Sequence, residues 1–470
     1  MIRVLGPGVR LCDGWNRREI VRIGGLGVLG AGLSLTDLLR TTAPAHAAPP
    51  HASSFGRARS CIVLFLMGGP PQHSTWDPKP GAPAEVRGDF GPIATTVAGM
   101  SICELLPRTA ALAHKLCLLR AMSTGDNAHS SSGYYMITGR PHQPMNFENA
   151  NPGPPNDAPS MGAVLARIAG ARGSLPPAVT LPHRIFNTGG TVWPGQDAGF
   201  LGRSGDPWLL HARLTSKGYD IQEIDLPPDL DLVRLGQRKD LLDRFQRGID
   251  SPDRAGSTGA FRDHERRAFD LLGSSQARRA FRLEEEEESN RLRYGSTPFG
   301  QSVLLARRLV EAGVRLVQVN WYRGPDEPPV SPCWDSHIKE SARLKEALAP
   351  PFDRSYSALL ADLDRRGLLD ETLVVCMAEF GRTPRLDSAG GRNHWGSVFS
   401  VALAGGGVQG GQVYGSSDRI GAYPASGRVR PEDLFATIFH CLGHDPSTEY
   451  HDPLGRPHPL SRGEVLHAIL

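Results

Sequence analysis

The run Cys61-Ile-Val-Leu-Phe-Leu-Met67, closed by Gly68-Gly69, limits the possible folds more than any other stretch of this chain. A strand with one face in water alternates apolar and polar residues, whereas a strand covered on both faces is an unbroken apolar run. The segment therefore predicts an interior strand of a sheet with helices packed on either side. Lys115 to Met122 repeats the pattern. Between the two, Leu105 to His114 can form a crossover helix of the kind that parallel strands need.

From Thr297 onward the alternation becomes regular. Pro298 occupies a first helical turn, Leu304, Leu305 and Leu309 continue the helix, Gly313 ends it, and Val314 to Asn320 alternates as a strand. Phe352, Tyr356, Leu359, Leu360 and Leu363 recur at helical spacing, Gly367 stops that helix, and Thr372 to Met377 is the next strand. Val398 to Leu403 is another strand, and Glu432 to Leu442 a last helix. Helices alternating with apolar strands, without an internal repeat, predict an α/β fold with a three-layer α/β/α, doubly wound, mostly parallel sheet. Two regions depart from that rhythm. Residues 140–215 are dense in Pro and Gly and are expected as long loops over the sheet, with one helix near Met161–Ala169. Residues 229–293 are charged and helical, an insertion at about 225–296, with Glu284 to Glu288 expected as a solvated helix face.

The N-terminus carries Asn16-Arg17-Arg18-Glu19, a glycine-rich apolar run from Ile23 to Leu39, and Ala45-His46-Ala47. This is the layout of a cleavable export signal, and the paired arginines with modest hydrophobicity point to the twin-arginine route. The expected organisation is a signal at 1–48, a Pro/Ala/Ser-rich linker at 49–59 and a single domain at 60–470, working in the periplasm or outside the cell. No other stretch approaches the ~18 apolar residues of a spanning helix, so no stable membrane span is expected after cleavage. Net charge is +3, with basic residues spread along the chain, which leaves no footprint for nucleic acid. Of the seven cysteines, Cys12 falls in the signal and several others lie inside apolar runs without Cys-x-x-Cys spacing. Buried thiols are the expectation, with one disulfide as the alternative.

In doubly wound sheets ligands bind beyond the carboxyl ends of the strands. The residues there are rich in metal-ligand types: His73 and Asp77 after the first strand, Asp126 and His129 after the second, Asp335 and His337 after Val314–Asn320, Glu379 after Thr372–Met377, and His394 before Val398. Any one of these fits an ordinary capping or surface role. Together, carboxylates and imidazoles with no thiolate among them suit one or two divalent cations bound through oxygen and nitrogen, with Zn, Ca, Mg and Mn all compatible.

The chain resembles a known family through Met67-Gly-Gly-Pro-Pro-Gln-His73, Thr75-Trp-Asp-Pro-Lys-Pro80, Tyr135-Met-Ile-Thr-Gly-Arg140, Tyr294-Gly-Ser-Thr-Pro-Phe-Gly300, Leu305-Ala-Arg-Arg-Leu-Val-Glu-Ala-Gly313, Trp334-Asp-Ser-His337, Glu379-Phe-Gly-Arg-Thr-Pro384 and Gly391-Arg-Asn-His-Trp395. It is similar over essentially its whole mature length to the exported family of unknown function DUF1501, placed near the alkaline phosphatase and sulfatase superfamily. The resemblance implies an alkaline-phosphatase-like core whose relatives hydrolyse phosphate or sulfate esters at a two-metal centre. By the same resemblance Asp335 and His337 match an aspartate–histidine metal pair and His394 a late histidine ligand. Glu379 stands where those enzymes have the aspartate of an Asp-His-Gly turn, with Phe380 in place of its histidine. Gly68-Gly69 lies where a first-strand aspartate would be, which leaves His73 or Asp77 as substitutes.

For a nucleophile, counting back from Thr138 as in sulfatases lands on His129, and no Cys-x-Pro-x-Arg is present to make a formylglycine. Ser130, Ser131, Ser132, Ser123 and Thr124 are the hydroxyl alternatives, and Arg140 or Arg382 the residues to meet an anionic group. The expected function is thus an exported metal-dependent hydrolase of anionic sulfate or phosphate esters, polysaccharides among them. The competing expectation is a catalytically degenerate member that binds polysaccharide or a partner protein.

Overall fold

In a computed structural model, the described residues are 54–210, 213–215, 218–220, 230–249, 255–324 and 327–470. The signal expected at 1–48 and the first part of the linker, 49–53, lie outside them. Eight strands form the central sheet: β1 (Ser60–Phe65), β2 (Leu116–Met122), β3 (Ala178–Leu181), β4 (Trp208–Leu209), β5 (Leu316–Asn320), β6 (Thr372–Met377), β7 (Phe399–Ala404) and β8 (Gln412–Tyr414). Their spatial order is β8-β2-β7-β6-β1-β5-β3-β4. All residues of β1 and of β6 are buried, so both faces of the sheet centre are covered. The α-helices of seven or more residues among the described residues are α1 (His129–Thr138), α2 (Met161–Ala169), α3 (Leu232–Ile249), α4 (Ala255–Gly273), α5 (Ser275–Phe281), α6 (Glu288–Tyr294), α7 (Pro298–Glu311), α8 (Ala349–Arg365) and α9 (Pro431–Cys441). Thr297 caps α7 through its side chain, with Pro298 in the first turn as the sequence predicts.

Register decides where the loops emerge. Phe65 at the end of β1 lies beside Asn320 at the end of β5 and Met377 at the end of β6. Three strands therefore release their chains at one level of one rim. The sheet is parallel except for β7, which runs antiparallel to both β6 and β2, with Phe399 opposite Met122. Because β7 runs the other way, the segment before it, which carries His394, reaches the rim that the other strands reach by their carboxyl ends.

Several expectations shift. The 140–215 stretch is not all loop: β3 and β4 lie within it and extend the sheet. Four residues between Pro177 and Pro182, and two at Trp208–Leu209, are too short for periodicity to show. The crossover expected at Leu105–His114 is reduced to a short helix, Pro107–Ala110, and a 3-10 turn, Ala113–Lys115. The acidic run is not a uniformly solvated face either. Glu286 is buried among Arg307, Arg308 and Arg366. Arg307 of α7 also lies 3.1 Å from Asp362 of α8, so Glu286 is joined through it to the helices beside the sheet. The six cysteines are all free and buried, so the disulfide alternative does not form. Among the described residues no helix is long and apolar enough to cross a membrane.

Candidate functional site

Beyond the rim, three imidazoles converge on one carboxylate. His129 opens α1, which starts a short loop after β2, and its Nε2 lies 3.3 Å from Asp335 Oδ2. His337 Nε2 lies 2.9 Å and His394 Nε2 3.1 Å from Asp335 Oδ1, and these two nitrogens are 2.9 Å apart. In each ring the other nitrogen is anchored to an oxygen: His129 Nδ1 to Glu379 Oε1 at 2.8 Å, His337 Nδ1 to Asn393 Oδ1 at 3.1 Å, and His394 Nδ1 to the Asn127 carbonyl at 2.8 Å. Anchoring one ring nitrogen so that the other faces a common point is the arrangement that orients imidazole ligands around a metal.

The supports are built from the chain's local constraints. His394 pairs with Arg382 in a two-residue ribbon, Gly381–Arg382 against His394–Trp395. Arg382 is fully buried and joins Asp335 to the carbonyls of Gly68, Gly69, Trp334 and Arg392. Phe380 stacks on His394 with ring centres 4.4 Å apart, and Trp193 stacks on His129 at 5.8 Å. Glycine is required at two places. A Cβ on Gly68, whose φ is +107°, would come within 2.4 Å of the Asp335 nitrogen, and one on Gly391 within 2.0 Å of the His337 carbonyl oxygen. The loop carrying Asp335 therefore crosses directly over the end of β1, which leaves no room there for the aspartate that the family resemblance leads one to seek. The Gly68 amide instead donates to Glu379 Oε1 at 2.8 Å.

Charge is distributed unevenly. Burial alone raises the Asp335 carboxyl, but Arg382 and His129 outweigh it and hold the group well below the usual carboxylate range. Burial disfavours a charge on His129, yet Asp335 and Glu379 raise it to about 10. His394 moves the other way, to about 3, through burial and the His129 and Arg382 charges, against the pull of Asp335. His394 is thus neutral near pH 7. Since its Nδ1 proton goes to the Asn127 carbonyl, its Nε2 presents a lone pair toward the Asp335 carboxylate. That lone pair and the carboxylate oxygen, 3.1 Å apart, are two donors open to a divalent cation, beside the Arg382 guanidinium that already meets the same oxygen. Glu379 is also fully buried, and its Oε2 has no hydrogen-bond partner. On these observations the donor set fits a divalent cation, with one ligand atom each from His129, Asp335 and His394 lying within 4.8 Å of one another.

Of the residues singled out in the sequence, His129, Asp335, His337, Glu379, His394 and Arg382 come together. Arg382, however, is fully buried and turns its guanidinium to Asp335 and backbone carbonyls, away from any incoming anion. His73 and Asp77 stand outside the cluster. His73 is buried and donates through Nε2 to the Ile420 carbonyl at 2.8 Å, and Asp77 is held by Lys79 at 3.0 Å and by the Ser417 hydroxyl. Ser130 and Ser131 are fully buried behind the cavity wall: Ser130 accepts from Asn187, and Ser131 donates to Asp126 at 2.8 Å. Arg140 lies beyond the far end of α1, about 15 Å of helical rise from His129, bonded to the Pro459 carbonyl. Sequence reasoning missed the supporting shell. Asn127 and Asn393 stand beside candidate histidines and could have been suspected, whereas Trp193, Asn187 and Arg323 carried no signal. A cavity of about 250 Å³ opens onto the cluster, lined by His129, Asp335 and His394 together with Trp193, Asn187 and Arg323.

The fold and site define a class: a three-layered α/β protein with a histidine–carboxylate cluster at the carboxyl rim of its sheet. The chain belongs to the DUF1501 family of proteins of unknown function, whose model matches residues 58–470. Among curated proteins none matches the sequence. Similar solved structures include the PsFucS1 sulfatase from Pseudoalteromonas sp., at 13% identity over 83% of this chain and 69% of that one, TM-score 0.36. Another is the phosphonate monoester hydrolase SpPMH from Silicibacter pomeroyi, at 13% identity over 87% of this chain and 76% of that one, TM-score 0.39. A third is the lipoteichoic acid synthase LtaP from Listeria monocytogenes, at 10% identity over 85% and 76%, TM-score 0.35. The activities of these three proteins differ, and none assigns an activity to this chain.

Proposed function

We propose that the chain is an exported hydrolase of anionic esters, of the sulfate or phosphate kind, that works with a divalent cation at the His129–Asp335–His337–His394 cluster. The observation that carries this reading is the convergence of three Nε2 atoms on the Asp335 carboxylate, each ring fixed from behind by an oxygen. A cation held by Asp335, His129 and His394, with His337 and Glu379 beside them, would polarise an ester oxygen and lower the pKa of bound water. The chain's own residues do the rest. Arg382 keeps Asp335 ionised and in place, Glu379 orients His129, and the Phe380 and Trp193 rings give the cluster apolar walls that limit water. The twin-arginine signal read from the N-terminus supports delivery of a folded, metal-loaded protein to the periplasm or beyond.

One observation favours the second reading, a degenerate module that binds polysaccharide or protein without turnover. The Arg382 guanidinium already contacts Asp335 Oδ1, the oxygen that His337 and His394 face. Elemental analysis of the purified mature protein separates the two, together with turnover of aryl sulfates and aryl phosphates. About one tightly bound divalent ion per chain, with turnover abolished by chelator, supports the hydrolase. A metal-free protein that ignores added Zn, Mn, Mg and Ca and turns over none of the esters leaves the binding module.

A further inference from the structure

Arg323 stands three residues beyond β5 and lines the same cavity as the cluster. Its guanidinium is firmly mounted: one Nη donates to the Phe186 carbonyl at 3.0 Å, the other to the Thr188 hydroxyl at 2.8 Å, and the group lies 5.1 Å from the centre of the Phe186 ring. Its backbone N–H is held as well, by His183 Nε2 at 3.0 Å. All of these partners are neutral. Elsewhere around the rim arginines meet carboxylates, Arg382 with Asp335, Arg392 with Glu340, Arg184 with Asp197 and Arg343 with Glu327. Among the described residues no carboxylate pairs with Arg323. Glu148, an acid of the same cavity, is turned to the His129 backbone N–H at 2.7 Å and the Asn187 amide.

A rigid, half-buried guanidinium that no described carboxylate neutralises, facing a small cavity, is a receptor for an anion. The cavity thus offers two places for negative charge, a cation held at the cluster and the Arg323 guanidinium. The volume, about 250 Å³, lies just below the ~300–1,000 Å³ of sites for drug-sized ligands and suits a single ring with its substituents. We infer that the substrate is a ring-sized ester carrying a second anionic group, and that Arg323 selects it by binding that second group. This rests on the proposed function for the cation that takes the first group and for the word ester, whereas the part played by Arg323 is read separately from its variants.

The test is therefore a binding measurement with non-hydrolysable probes. Titration calorimetry compares 3-sulfobenzoate, a dianion, with benzenesulfonate, a monoanion, on the purified mature chain, on Arg323→Ala and on Arg323→Gln, which keeps donors without the charge. The wild type should bind the dianion roughly tenfold or more tightly, with the margin shrinking as salt rises. In both variants the ratio of the two affinities should fall to near one. Thermal unfolding of each variant checks that it is folded, and Arg323→Gln serves if Arg323→Ala is not. Equal affinities in the wild type, no binding of either probe, or a ratio unmoved in the folded variant would overturn the proposal. Failure of the hydrolase reading shows separately, as an absence of turnover with the dianion preference intact.

Discussion

His129 Nδ1 and Glu379 Oε1, 250 positions apart in sequence, meet at 2.8 Å. The contact exists because β2 and β6 flank the antiparallel β7 and release their chains at one rim. With Asp335 on the other ring nitrogen, Glu379 holds His129 between two carboxylates and raises it to about 10. A ligating imidazole must be deprotonated. Metal uptake at neutral pH should therefore release protons and weaken as the pH falls. Calorimetric titration of chelator-treated protein with zinc, in two buffers of different ionisation enthalpy, reads this directly. Identical heats in the two buffers would show that no proton leaves.

Arg382 is fully buried and joins Asp335 to four backbone carbonyls. Replacing it with Met strands a buried carboxylate, and such a loss typically costs about 3–5 kcal/mol. Urea denaturation of Arg382→Met should show that decrease, and a change under about 1 kcal/mol would mean that Arg382 is not what holds the site together.

Gly68 should tolerate no side chain. With φ at +107° and the Asp335 nitrogen 2.4 Å from any added Cβ, Gly68→Ala should lose about 2–4 kcal/mol through strain and crowding. An aspartate there, mimicking metal enzymes of the resembled superfamily, should fare no better and should not increase the metal bound. Elemental analysis of Gly68→Asp alongside its denaturation curve decides the point.

Burial, with the Arg392 charge, lowers His73 to about 3. Between that value and the ordinary imidazole range, the unfolded chain takes up a proton that the folded chain refuses. The stability tied to neutral His73 is thus whole above about pH 6.5 and is lost as the pH falls toward 3. Across denaturation curves from pH 7 to 4, wild type should lose up to about 1.4 kcal/mol per pH unit more than His73→Gln. Parallel pH dependences would refute the assignment.

The six thiols are buried, and burial pushes Cys103, Cys117 and Cys441 up to about 12. A disulfide reagent at pH 8 should modify almost none of them in the native protein and all six after guanidinium unfolding. Rapid labelling without denaturant would contradict the packing.

Much of the frame was legible because it is local. The apolar run at Cys61–Met67 and the Thr372–Met377 segment became central strands buried throughout, since an unbroken apolar run has no face for water. The helices at Pro298–Glu311 and Ala349–Arg365 followed from spacing, caps and stop glycines. The short strands β3, β4 and β8 were not legible, because two to four residues carry no period and their place depends on a neighbour already formed. The candidate site divides the same way. His129, Asp335, His337, Glu379 and His394 were visible as metal-ligand types at strand ends, but so were His73 and Asp77, which the structure turns to the Ile420 carbonyl, Lys79 and Ser417.

By itself, then, the sequence determined the strand and helix types, the mostly parallel sheet and the rim where chemistry-bearing residues gather, because each is written in spacing and burial along short segments. Tertiary structure alone decided which of those residues face one another, that Arg382 serves Asp335 and not an incoming anion, and that among the described residues Arg323 meets the cavity with neutral partners. Those outcomes depend on strand register, on the reversed β7, and on the chain crossing above Gly68. Each relation joins residues far apart in sequence and arises only when the whole sheet has assembled.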